Sequence, residues 1–451
     1  MAFEDALAAW LIKQRWFAGK GHELRDLAIV ADTEMVSGDP ELRHLILVVS
    51  YGTAVDYYQV LAGLRAILPD ELQHARIGPS GEGREAYDAL HDADLTRPLL
   101  AGIAADQSIG SVHMRKLSGA SFETGLDSLV LSAEQSNTSL IYGEESILKV
   151  FRRLSPGPNP DLEVTTALAR LGSSHVAEPF GWIETRLDGV STSLAILSRY
   201  LRLASDGWSL AATSVRDLYA MDEATGDGVR AAEAGGDFAG EAHRLGIATA
   251  EVHSDLAAAF GTDELGADAV RELSEQMYRK LDMAMASVPE LARFSELIGD
   301  AYSSLAKLKG PFPVQRVHGD YHLGQVLRTT ESGWVVLDFE GEPATPLAHR
   351  RVRSSPLRDV AGMLRSFDYA ARHQLIGHPE QVALNTVASD WARRNASAFC
   401  AGYAEAGGQD PEANDVLLRA LQLDKAVYEV LYEARHRPSW LQIPLDSLAE
   451  F

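Results

Sequence analysis

Val317-His318-Gly319-Asp320-Tyr321-His322-Leu323-Gly324-Gln325-Val326, followed by Val336-Leu337-Asp338-Phe339-Glu340, is the stretch that decides the architecture. Asp320 stands just after one apolar, strand-like run and Asp338 just after another, and Gln325 comes five positions after Asp320. Transfer of a phosphoryl group needs a carboxylate beside the attacking hydroxyl and oxygen ligands that hold Mg2+ against the phosphates. An aspartate, a neutral amide oxygen and a second aspartate in this order supply that set. Gln325 serves as an asparagine would, because its carbonyl is the same hard neutral donor with one more methylene of reach.

The spacing is that of the kinase catalytic loop H-R-D-x-x-x-x-N and of the D-F-G aspartate on the next strand. An upstream half matches it. Lys149 lies in the strand-like Ile147-Leu148-Lys149-Val150, and Glu163 follows 14 residues later on a helix candidate. Such a pair forms the ion bridge that aims an ammonium at the α- and β-phosphates. Before it, Glu134-Gln135-Ser136-Asn137-Thr138-Ser139 links two strand candidates and has no glycine pattern. Ser136, Asn137 and Ser139 are therefore the donors expected to cover the phosphates. Each piece alone has a bland reading, since a strand lysine is usually a solvated edge residue and an aspartate after a strand often only caps a turn. In this order and spacing they imply a kinase fold.

The rest of the chain is consistent with that order. Residues 1–125 read as a separate, mostly β module, with strand-like Leu45–Val49 and Tyr57–Leu61 around a Tyr51-Gly52-Thr53 turn. Residues 126–203 read as a second β-rich part. Leu129–Ser132, Thr138–Tyr142 and Ile147–Phe151 are short strands, Asp161 is placed to cap a helix, and Leu194–Leu197 leads into Ser198-Arg199-Tyr200. Residues 204–451 are mainly helical. Gly240–Leu256, Leu357–Ala371 and Val416–Arg437 are the clearest helices, with Val314–Val317 and Trp334–Leu337 as buried strands between them.

Composition narrows the partners. The formal net charge is −23, from 41 Lys plus Arg against 64 Asp plus Glu, a field that repels nucleic acid and anionic membranes. It also repels ATP, so a nucleotide site requires local cations and metal. The single cysteine, Cys400, excludes an intrachain disulfide and fits a reducing compartment. The acidic N-terminus lacks the pattern of an export signal, and no apolar run approaches a bilayer span, so a cytoplasmic location is expected.

The segments HGDYHLGQVL, LDFEGEP, EQSNTS, ILKVFRRLSPGPNPDLE, GGDFAGE and LDKAVYEVLYEARHRP, with QRWFAGKG near the N-terminus, resemble the actinobacterial maltokinases, within the aminoglycoside-phosphotransferase-like kinases. The resemblance implies an α+β, bilobal protein-kinase-like fold with a β-rich N-terminal cap and a helical C-lobe. It implies ATP and Mg2+ as cofactors, Asp320 as general base, and Gln325 and Asp338 as metal holders. Lys149 and Glu163 would orient phosphates, and the segment Ser198 to Tyr200 would hold adenine. His318 and His322 are expected to fix the loop by hydrogen bonds, and Arg358 and Asp359 to brace the metal loop. His253 reads as structural, and Asp237 and Glu241 as a solvated helix start. Trp10, Trp16 and Phe17 are expected to pack the cap on the nucleotide lobe.

On the long C-terminal helix candidate, Lys425, Tyr428 and Tyr432 fall on one face, with Glu429, Glu433 and His436 beside it. Periodicity alone favours Tyr428 and Tyr432 as core. The resemblance makes this the maltose-binding helix and carries Lys425, Tyr428, Tyr432 and Glu433 into the sugar site. The implied reaction is phosphorylation of maltose to maltose 1-phosphate, with association with a trehalose-converting enzyme. The rival acceptor is glucosamine, giving a 6-phosphate, because acids on this helix suit an ammonium; an aminoglycoside fits less well. A pseudokinase scaffold would be expected to lack Lys149, Asp320 or Asp338, and all three are present.

Overall fold

The computed structural model describes residues 2–81, 83–131, 136–225, 237–342, 349–378 and 381–451. Ser132, Glu134 and Gln135 of the sequence expectations lie outside the described residues. The chain forms two compact units, Met1–Thr166 with Ala177–Arg202, and Ala167–Val176 with Leu203–Phe451.

The first unit is built on two antiparallel sheets. The N-terminal sheet comprises β1 (Leu24–Val36), β2 (Glu41–Tyr51), β3 (Ala54–Arg65), β4 (Arg76–Gly81) and β5 (Arg84–Asp88), in the order β1-β2-β3-β5-β4. β2 and β3 pair without a shift, Leu45 opposite Val60 and Leu47 opposite Tyr58. Gly52 supplies the positive φ (52°) that their tight turn requires. Helix α1 (Ala2–Leu11) lays Leu7, Trp10 and Leu11 on one face of this sheet. Trp16 and Phe17 join them, edge-on to Trp10 and beside Tyr51 and Tyr58. These aromatics thus build the cap's own core, and the guanidinium of Arg152, which follows the second sheet's Ser146–Phe151 strand, lies over the Trp16 ring.

Helix α2 (Ala93–Ala104) leads into the second sheet. Its strands are β6 (Ser108–Ile109), β7 (Val112–Lys116), β8 (Ser128–Leu131), β9 (Asn137–Tyr142), β10 (Ser146–Phe151), β12 (Pro179–Leu187) and β13 (Val190–Arg199), in the order β6-β7-β12-β13-β10-β9-β8. The short β11 (Arg153–Leu154) pairs back to β3. Helix α3 (Pro160–Arg170) starts differently from the expectation. Asn159, not Asp161, caps it, with Asn159 Oδ1 accepting the Asp161 N–H at 2.7 Å. Proline is suited to the first helical position because its missing N–H is not needed there, and this places Asp161 inside the first turn.

The second unit is mostly helical: α4 (Gly207–Thr225), α5 (Ala239–Phe260), α6 (Ala267–Ser287), α7 (Ser295–Ala306), α8 (Leu357–Arg372), α9 (Gln381–Glu405), α10 (Asp415–His436) and α11 (Gln442–Leu448). The apolar stripe of α8 is core, with Leu357, Val360 and Phe367 fully buried, each worth about 1.5–3 kcal/mol. Short strands hold the loops. β14 (Ser205–Asp206) pairs with β17 (Val326–Thr329), β15 (Thr262–Leu265) with β16 (Phe312–Gln315), and β17 with β18 (Gly333–Val336). Asp237 and Glu241 at the start of α5 are not merely solvated. Asp237 is paired with Arg394 at 3.0 Å and Glu241 with Arg328 at 2.8 Å. Among the described residues no helix is long and apolar enough to cross a membrane.

Candidate active site

The hairpin β17–β18 sets the geometry. Its pairing puts Val326 opposite Val336, so the residues just outside, Gln325 and Leu337, meet, and the Leu337 N–H donates to the Gln325 carbonyl at 2.8 Å. The chain then turns through Asp338, which takes a left-handed φ of 61°, a conformation aspartate tolerates better than most residues. Gln325 Nε2 and Asp338 Oδ2 lie 3.4 Å apart. The two candidate metal ligands, thirteen residues apart in sequence, thus share one place. In this arrangement the Gln325 N–H2 group faces the carboxylate; a half-turn of the amide would set its oxygen there, giving the hard-oxygen donors Mg2+ prefers, so these residue types fit the ion.

The loop carrying Asp320 is held from beneath. Asp359, at the start of α8 and 1% exposed, accepts the His318 N–H at 2.7 Å and the Gly319 N–H at 2.9 Å. Two successive N–H groups can reach one carboxylate because Gly319 adopts φ 86°. His253 of α5 donates from Nε2 to Asp359 at 3.0 Å, and Tyr403 O–H donates to its Nδ1 at 2.8 Å. Burial opposes ionisation of Asp359, yet the His253 ring and the loop amide hold its carboxyl below the usual range. His318 donates from Nε2 to the Leu337 carbonyl at 2.7 Å, tying the base loop to the Asp338 turn. His322 accepts the Gly324 N–H at 3.0 Å, and burial pulls its pKa down. Gly362 allows α8 to approach, since a Cβ there would sit 2.5 Å from the Tyr321 carbonyl oxygen. His253, read from the sequence as structural, has that role here: it and Asp359 belong to one buried bracing network. The sequence associated Asp359 with the metal loop; it braces the base loop.

Asp320 itself is partly exposed. Its Oδ1 lies 3.3 Å from Lys425 Nζ of α10, and among the described residues Oδ2 takes no protein donor. Lys425 also reaches Glu342 at 3.0 Å, and Arg358 reaches Glu342 at 3.5 Å. Burial works against the Lys425 charge, but Asp320 and Glu342 more than compensate and hold its pKa above the ordinary lysine value. Beside Asp320 opens a cavity of about 710 Å³. Lys425, Tyr428, Glu429, Tyr432, Glu433 and His436 of α10 form one wall, Gly362, Ser366 and Tyr369 of α8 another, and Trp208, Arg437 and Trp440 complete it. Tyr428 and Tyr432 therefore line a cavity, and burial pushes the Tyr428 hydroxyl up to about 12. Both Glu433 oxygens are bonded, by Arg437 at 2.6 and 2.9 Å and by Tyr369 at 3.3 Å. Gly362, Ser366 and Tyr369 were missed in the sequence, although their spacing puts them on one helical stripe. Nothing in the sequence marks Trp208.

In the first unit, Lys149 of β10 stands opposite Ser139 of β9 and Ile196 of β13. Its Nζ has Asp161 Oδ2 at 3.4 Å, an acid in the same first helical turn as the expected partner Glu163. Ser136 is exposed, Asn137 opens β9, and Ser139 is fully buried. Ser198 lies opposite Ile147, and the Tyr200 N–H donates to the Glu145 carbonyl at 2.8 Å as the chain leaves β13.

Residues 10–92 match the maltokinase N-terminal cap domain. The chain is 32% identical over 349 residues to a glucosamine kinase of Streptacidiphilus jiangxiensis, covering 75% of this chain and 76% of the relative. It is 30% identical over 325 residues to a glucosamine kinase of Mycolicibacterium smegmatis, covering 70% and 77%. A solved glucosamine kinase in complex with glucosamine, ADP and inorganic phosphate is similar over 99% of this chain and 98% of its own, at 26% identity and a TM-score of 0.67. With a mixed α/β architecture, a β-rich N-terminal part that matches a maltokinase-type cap and a helical C-terminal part, the chain belongs to the family of these glucosamine kinases.

Proposed function

We propose that this kinase transfers the γ-phosphoryl group of ATP to a hydroxyl of a small aminosugar, with glucosamine as acceptor and its 6-phosphate as product. The observation that carries the reading is an acid- and tyrosine-lined cavity opening on Asp320, in a chain about one third identical to two glucosamine kinases. In this reading Asp320 Oδ2 accepts the hydrogen bond of the acceptor hydroxyl and takes its proton as the oxygen attacks the γ-phosphorus in line. Lys425 keeps Oδ1 and fixes the carboxylate's orientation. Lys149, aligned by Asp161 and Glu163, is assigned to the nucleotide phosphates. Ser136, Asn137 and Ser139 are assigned to the phosphate cover and Ser198 to Tyr200 to the adenine. Gln325 and Asp338 would hold Mg2+, which neutralises phosphate charge when bound. Tyr428, Tyr432 and Glu433 are assigned to the acceptor.

A second reading keeps the expected acceptor, maltose, giving maltose 1-phosphate. The cap match and a cavity roomier than one pyranose favour it, and association with a trehalose-converting enzyme goes with it. Nucleotide consumption with glucosamine, maltose, glucose and kanamycin separates the two, with Asp320→Asn as control. Turnover of maltose without turnover of glucosamine would reverse their order.

A further inference from the structure

Of the carboxylates on the cavity wall, Glu433 has both oxygens bonded by Arg437 and Tyr369. Asp320 keeps Oδ2 for the acceptor hydroxyl. Glu429 differs from both. It is 9% exposed, and Arg365 donates to it from Nε at 2.9 Å and from Nη2 at 2.7 Å, both to Oε2. Among the described residues Oε1 takes no donor, although Glu429 lines the cavity. That oxygen is not sealed in the core but left open to the cavity, where a charged N–H group is its strongest partner. Glu429 lies one helical turn beyond Lys425, about 6 Å along α10, and Lys425 marks the position of Asp320. Asp320 and Glu429 thus line one cavity, each with a carboxylate oxygen that takes no donor among the described residues.

We infer that Glu429 Oε1 reads the ammonium of the acceptor while Asp320 Oδ2 holds the hydroxyl to be phosphorylated, so that Glu429 sets the preference for an aminosugar over its neutral counterpart. The inference rests on the aminosugar reading and names the residue that enforces it. Arg365 is the positioning residue. It occupies Oε2 and is itself fixed by Ser447 and by Asp368 at 3.4 Å, which leaves Oε1 directed to the ligand. Burial raises the Glu429 carboxyl above its ordinary range, and the Arg365 and Lys425 charges oppose that; a bound ammonium opposes it further.

The test measures kcat/KM for glucosamine, glucose and N-acetylglucosamine in the full chain and in Glu429→Gln. Gln keeps an oxygen for Arg365 and removes the charge. In the unaltered chain, masking the amine by acetylation or replacing it by hydroxyl is expected to lower kcat/KM about 10- to 100-fold, the loss of one charge-assisted hydrogen bond. Glu429→Gln is expected to lose that factor for glucosamine, mainly in KM, so that the glucosamine-to-glucose ratio of kcat/KM falls toward 1. A variant that loses glucosamine and glucose alike overturns the inference while the aminosugar reading stands. An unaltered chain that ignores glucosamine and phosphorylates maltose overturns the aminosugar reading, and the inference with it. If Glu429→Gln fails to fold, the acceptor series in the unaltered chain decides, because equal use of glucosamine and glucose refutes an ammonium reader.

Discussion

Asp359→Asn is the most informative single change outside the cavity. The carboxylate accepts two loop N–H groups, at 2.7 and 2.9 Å, and the His253 ring N–H at 3.0 Å. An asparagine of the same shape can accept with one atom only and must turn its N–H2 toward a remaining donor. At least one charge-assisted bond, worth about 1.5–3 kcal/mol, is lost, and a buried N–H is left unpaired. The combined cost is about 2–4 kcal/mol, which for a unit of this size lowers Tm by roughly 5–15 °C. The loop that carries Asp320 loses its fixed position, and misplacement near 1 Å costs on the order of 100-fold in turnover. Thermal melts and a coupled ADP-release assay read the two effects. The pH dependence gives a further check. The folded carboxyl is held below its usual range, so its contribution is complete above about pH 4, where the unfolded group titrates. It is lost as pH falls through the lower folded value. The Tm gap between the unaltered chain and Asp359→Asn should therefore be widest near neutrality and narrow on acidification. A variant that melts within 2 °C of the unaltered chain and keeps kcat within threefold would refute the bracing argument.

Asp320→Asn is expected to lower kcat about 10²–10⁴-fold with little change in Tm, because the side chain is partly exposed and Lys425 retains Glu342; circular dichroism and the ADP-release assay check both. Lys149→Met should raise the KM for ATP by about tenfold, the value of one charge-assisted hydrogen bond, and leave the KM for the sugar unchanged in initial-rate kinetics. Removal of divalent ions with a chelator should abolish turnover and added Mg2+ restore it, with Asp338→Asn needing roughly tenfold more Mg2+ for half-maximal rate. Gly362→Ala would set a Cβ 2.5 Å from the Tyr321 carbonyl oxygen, and a cost of about 1–3 kcal/mol should appear as a lower denaturation midpoint in urea.

The elements carrying the chemistry were readable because their signals are local. Gln325 and Asp338 are fixed by a short strand pair whose register follows from Val326 opposite Val336, and His318 ties the loop of Asp320 to the same turn, so spacing along the chain becomes proximity in space. The helices α5, α8 and α10 were readable from period, within a few residues at each end. The start of α3 was misread by two positions because Asn159 and Asp161 are both good caps and only the intervening Pro160 separates the choices. Trp10 and Phe17 were legible as buried and Trp16 as partly covered, but not as to their partner, since an aromatic's apolarity does not say which sheet it covers.

The sugar side was less legible for a physical reason that bears on the function. A helix face turned to an aqueous cavity and a face turned to the core both repeat near 3.6 residues, so Tyr428 and Tyr432 fit either from period alone. What separates the two is where the interleaved acids find their counter-charges: Glu433 finds Arg437 four residues on, while Glu429 finds Arg365 on the distant α8. Two carboxylates four residues apart look equivalent in sequence. The fold makes them unequal by giving one a guanidinium on both oxygens and the other a guanidinium on only one. In the aminosugar reading that asymmetry, created by Arg365 on Glu429 64 positions away, is what would let an acidic helix face distinguish an amine from a hydroxyl.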